Sequence, residues 1–141
     1  MNQSRYLFRG KREHGDEWVQ GSLMYPESGN CSIWSDRLID DVSVIPSTVG
    51  QCTGVSAMKS YRGDRPEDLL IFEDDIVTDP TGLYIRAQVI WHEKNLAWGV
   101  LTLGGKNYPL CAEHNCEIIG TIHDDEGEFT SVEKAKNDSF D

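Results

Sequence analysis

Residues 84–111, YIRAQVIWHEKNLAWGVLTLGGKNYPLC, decide the fold class of this chain. Within 84–92 the positions Ile85, Ala87, Val89 and Trp91 are apolar, whereas Arg86, Gln88 and His92 are polar. A period of two gives an extended segment one face for a core and one for water, so the pattern predicts a half-buried antiparallel strand. The turn residues EKN follow, then a second apolar run, LAWGVLTL (96–103), then GGKN (104–107) and YPLC. Glycine in GGKN supplies the positive φ that a hairpin turn requires, and the Gly-Lys-Ser/Thr frame of a phosphate loop is missing from it.

Working outward, DIVTD (75–79) and CEIIGTIH (116–123) add a strand on either side, which makes a series of short strands separated by turns. A sheet of that kind hides its edges best by closing on itself, so 67–123 is expected to be an SH3-like β-barrel. Upstream, RYLFR (5–9), EWVQGSLMY (17–25), CSIW (31–34) and VSVIPSTVGQCT (42–53) are rich in aromatic and β-branched residues and predict a smaller β portion over 1–66. The polar stretch 54–68, GVSAMKSYRGDRPED, is the expected boundary. No segment sustains an apolar 3.6-residue period. Helix is expected only as a turn at RPEDLLI (65–71), where Pro66 suits the first helical position, and around SVEKAK in the acidic, flexible tail 124–141. No internal repeat is visible.

Composition narrows the class further. The 141 residues include thirteen aromatics, enough large side chains for a core, and no apolar run approaches the length of a membrane span. An N-terminus without a secretory pattern and four cysteines in a chain of this length predict a soluble, cytoplasmic protein with free thiols. The net charge of -11 is lopsided: residues 1–66 hold eight basic and eight acidic residues, and 67–141 hold five basic and sixteen acidic ones. Such a half repels nucleic-acid phosphates, and it suits a cationic protein partner or imitation of DNA. The basic residues Arg9, Lys11, Arg12, Lys59, Arg62 and Arg65 are expected to be solvated turn charges.

Several segments carry a resemblance in their order and spacing: YLFRGKR (6–12), EWVQGSL (17–23), VIPSTVGQCTG (44–54), FEDDIV (72–77), VIWHE (89–93) and EIIGTIHDD (117–125). Together they closely resemble the YopX family of small phage and prophage proteins, over residues 5–125. The resemblance implies a predominantly β protein with an SH3-like barrel in its C-terminal part, and it implies no known activity. Three positions depart from the family pattern. The connection SAMKSYRGDRPEDLL (56–70) is longer and more basic than the family's short turn, Cys52 stands where an aromatic residue is usual, and Thr121 where Asn is usual.

Two stretches have the residue types of a chemical site. FEDDIV places Glu73, Asp74 and Asp75 together, yet a hard cation takes six or more oxygens and alternation sends consecutive side chains to opposite faces. Its acids are therefore expected on a turn, bonding nearby backbone amides. CAEHNC offers Cys111, His114 and Cys116, the ligand types that zinc prefers, but only three of them and at a spacing unlike a zinc finger. The same cysteines also suit buried strand positions. The sequence thus predicts no cofactor and no catalytic residue, and favours a non-enzymatic module that binds a protein or self-associates. A nucleic-acid regulator or DNA mimic acting through 67–141 is the alternative, and a small zinc protein the third.

Overall fold

The computed structural model of the protein describes residues 6–15, 17–24, 31–35, 41–110, 116–124 and 132–140. It is mainly β, and the chain forms two compact units, Met1–Gly54 and Val55–Asp141. No helix among the described residues is long and apolar enough to cross a membrane.

In the first unit β1 (Phe8–Lys11), β2 (Trp18–Met24), β3 (Cys31–Trp34) and β4 (Val42–Val44) form an antiparallel meander, and the strand β5 (Gly50–Ser56) returns antiparallel beside β1. Cys31, Ile33 and Val44 are buried together, with Phe8, Val19, Leu23 and Val49 packed around them. Gly10 belongs to this packing, because Val44 occupies the space where a β-carbon would stand. Beyond the strands, Glu13 N–H donates to Ser43 C=O at 3.0 Å and Ile45 N–H to Lys11 C=O at 2.9 Å, so the end of β1 meets β4 directly. Thr48, in a 3-10 turn opened by Pro46, fixes that corner: its hydroxyl accepts from Lys11 N–H and donates to Ile45 C=O. Arg9 departs from the expectation of a solvated charge. It is 2% exposed, with its guanidinium 4.8 Å from the Trp18 ring centre, where cation–π attraction offsets part of its desolvation.

In the second unit β6 (Lys59–Ser60), the helical turn α1 (Pro66–Leu69) and β7 (Leu70–Phe72) precede β8 (Asp75–Thr78), β9 (Ala87–His92), β10 (Ala97–Thr102), β11 (Asn107–Pro109) and β12 (Glu117–Thr121). A helix, α2 (Val132–Asn137), follows. Pro66 stands in the first turn of α1 as expected, and Arg65 N–H donates to the Asp68 carboxylate. The hydrogen bond from the Arg65 guanidinium holds the Asp68 carboxyl below its usual range. The sheet runs β11-β10-β9-β8-β12-β6, antiparallel except where β6 joins β12. Ile71, Val77, Val89, Val100, Leu110 and Ile118 are among the residues buried in its core. GGKN forms a turn as read from the sequence, with Thr102 N–H bonded to Lys106 C=O and Gly105 at φ +87°.

Both units repeat one strand plan, a four-strand meander whose fifth strand returns antiparallel beside the first. Sequence comparison of the two halves does not reveal this, because strand order is fixed by burial pattern and turn chemistry, which many residue choices satisfy. The closed barrel expected over 67–123 is not found in the described residues, where β11 and β6 end the sheet on opposite sides.

The stretch 84–92 corrects the expected alternation at both ends. Its strand starts only at Ala87; Tyr84 enters the core and stacks on Tyr108, while Ile85 is 82% exposed. A phenol buries more surface than a sec-butyl group, and Asp79 N–H bonds the Tyr84 carbonyl, which fixes the chain direction there. Gln88 and His92, expected on a wet face, are buried. Residues 132–140 cover that face: α2 packs Ala135 against Ile90 and Leu101, and Phe140 lies edge-on to His92.

Candidate functional site

The acidic turn FEDDIV gathers a cluster of polar contacts in the second unit. The chain reverses at Glu73 and Asp74, between β7 and β8, and Asp74 adopts φ +71°, a conformation that Asp tolerates better than most residues. Its backbone is fully used: Asp74 N–H donates to Val89 C=O at 2.8 Å, and its carbonyl accepts from Ile122 N–H at 3.0 Å and from the Thr121 hydroxyl at 3.2 Å. Its side chain accepts from the Gln88 amide at 2.9 Å and lies 3.5 Å from His123 Nε2, a contact that becomes an ion pair when the imidazole is protonated.

Asp75 points the other way and is completely buried. One of its oxygens accepts from Phe72 N–H at 2.8 Å, the backbone bond expected of a turn aspartate. The Arg62 guanidinium reaches the same carboxylate at 3.3 Å and also donates to Leu70 C=O at 2.9 Å. Arg62 is therefore an internal counter-charge, not a solvated turn residue. Burying a carboxylate in an apolar strand pair demands such a partner, since an unpaired buried charge is costly.

Glu73, Asp74 and Asp75 do not converge on a common point, and among the described residues no group of three or more His, Cys, Asp or Glu side chains is placed to hold a metal ion. Of CAEHNC, Cys111 and His114 lie outside the described residues; Cys116 is a buried free thiol, as are Cys31 and Cys52. The Asp74–His123 pair has the residue types of a general base with an orienting carboxylate. The hydroxyl in its network, Thr121, is buried and already donates to Asp74 C=O, so it is not presented to a substrate. What the cluster does physically is tie β7, β8, β9 and β12 to one turn.

Sequence reasoning missed Arg62, Gln88 and His123 as members of this cluster. One signal was present: Asp75 between Phe72 and Ile76 calls for a cation, and the second half holds only five basic residues besides those of the 54–68 stretch. The Gln88 and His123 contacts arise from strand pairing between segments far apart in the chain, which composition does not encode. No family model, curated protein or solved structure matches this chain.

Proposed function

We propose that this chain is a non-enzymatic accessory protein of the YopX kind, of phage or prophage origin, that works by binding another protein or a second copy of itself. The observation that carries the reading is a set of exposed large apolar side chains at a sheet edge. Met58 and Tyr61 flank the two-residue edge strand β6, and Tyr61 N–H bonds the carbonyl of Ile118 in β12, next to Ile119; Met58, Tyr61 and Ile119 are exposed large side chains. Exposed apolar residues gathered on a short sheet edge mark an interaction surface more often than scattered ones do. The expected SH3-like barrel belongs to the same reading. It is supported by the meander β8-β9-β10-β11 with β12 returning to β8, a plan from which a small barrel can close.

The nucleic-acid reading draws on the sixteen acidic residues of 67–141. It ranks second because Asp68, Asp74, Asp75 and Asp79 spend their carboxylates on hydrogen bonds within the fold. The test is sedimentation of the full chain over a range of concentrations, with partner capture from bacterial lysate, for the natural sequence and for the pair Met58→Glu and Tyr61→Glu. Self-association or capture that the double variant loses supports the reading. A monomer that captures nothing sensitive to these two residues sinks it.

A further inference from the structure

We propose that residues 132–140 act as a strap over the outer face of β9 and β10, and that protonation of His92 releases it. His92 is fully buried, yet neither ring nitrogen has an aligned hydrogen-bond partner. Its ring meets the Phe140 ring edge-on with centres 4.5 Å apart. Gly99, on the neighbouring strand, makes the seat: a β-carbon there would collide with both rings. Beside this pair Ala135 packs against Ile90 and Leu101, and one backbone bond, Lys94 N–H to Lys136 C=O at 3.3 Å, ties the strap to the β9–β10 turn.

Among the described residues no carboxylate pairs with the His92 ring, and the Ala135 backbone alone favours its charged form. The hairpin contributes Glu93 and Lys94, both exposed in its turn, and β10 presents Ala97, Gly99 and Leu101 on this face. Of its described side chains, the strap contributes Lys136 and Asp138. Among the described residues none of these groups pairs with the imidazole. An imidazolium under the strap would be a buried, unpaired cation beside an apolar ring, and undocking is the way for it to reach water. Burial accordingly holds the His92 pKa below its ordinary value, with the Ala135 backbone offsetting part of the shift.

The sign follows from linkage. The undocked state binds the proton more tightly, so seating is strongest above the ordinary imidazole value of about 6.5 and weakens as pH falls through that value toward the docked one. Release uncovers Ile90, Gly99 and Leu101, an apolar strip that neutral pH keeps closed.

The experiment follows the His92 ring protons and the amide exchange of 132–140 in the full chain by NMR, from about pH 7.5 to about pH 5. Expected is a rise of about tenfold in strap exchange, corrected for the intrinsic rate, that tracks the His92 titration while β9 and β10 stay protected. In Phe140→Ala the strap should be open at neutral pH and the His92 midpoint should rise to about 6.5. Strap protection that is unchanged across the His92 titration, or a His92 midpoint that Phe140→Ala does not move, overturns the proposal.

Discussion

The Arg62 guanidinium lies 3.3 Å from the carboxylate of Asp75, which has no exposed surface at all, so the basic loop 54–68 supplies the counter-charge for the acidic turn. Removing the cation strands a buried anion. Arg62→Ala should lower unfolding stability by about 3 kcal/mol, the usual cost of breaking a buried pair from one side. Asp75→Asn in the same chain should recover part of that loss, because the anion is no longer there to be stranded. Urea denaturation of the two single variants and the double variant measures the coupling, and simple additivity would show the pair to be idle.

At Asp74 charge and conformation can be separated. Asn tolerates positive φ and keeps an acceptor for Gln88, so Asp74→Asn should cost less than about 1 kcal/mol. Asp74→Ala loses the side-chain bonds and strains the backbone, and should cost about 2 kcal/mol or more. Equal losses in the two variants, read from chemical denaturation, would mean that the turn does not depend on this side chain.

The seat of the tail rests on an absent side chain. Gly99→Ala should undock residues 132–140 at neutral pH, seen as faster amide exchange there, and leave the hydrogen bonds between β9 and β10 protected. An unchanged tail would show that Gly99 is not its support.

Position along 84–92 gives a contrast between neighbours. Ile85→Ser should change stability by less than about 0.5 kcal/mol, as surface substitutions do. Ile90→Ala, beneath Ala135 and beside Leu101, should cost about 3 kcal/mol. Thermal melts of the two variants decide where the strand begins.

The β character, the turns at GGKN and Asp75, and the helical turn opened by Pro66 were legible because each rests on local chemistry: alternation, glycine φ, an aspartate beside a free amide, a proline without N–H. Gln88 and His92 were misplaced for a tertiary reason. Period-two reasoning assigns one strand face to water unless a second layer covers it, and the covering residues, Ala135 and Phe140, lie in a segment whose composition reads as solvated. Arg62 was misread for a related reason, since its partner is fixed by the fold and not by its neighbours. The acidic stretch kept its expected role as turn chemistry, with Asp75 buried within it.

That turn has a consequence for biosynthesis. The Asp74 turn exchanges backbone bonds with Val89 and Ile122, so it is completed only by residues made long after it. During synthesis Asp75 and Arg62 leave the ribosome well before β12 exists, and the second unit gains its last sheet partner for β8 only when residues near Thr121 emerge. A nascent chain halted before β12 should leave the edge of β8 open to foreign strands, whereas release a few residues later should find it closed by its own chain.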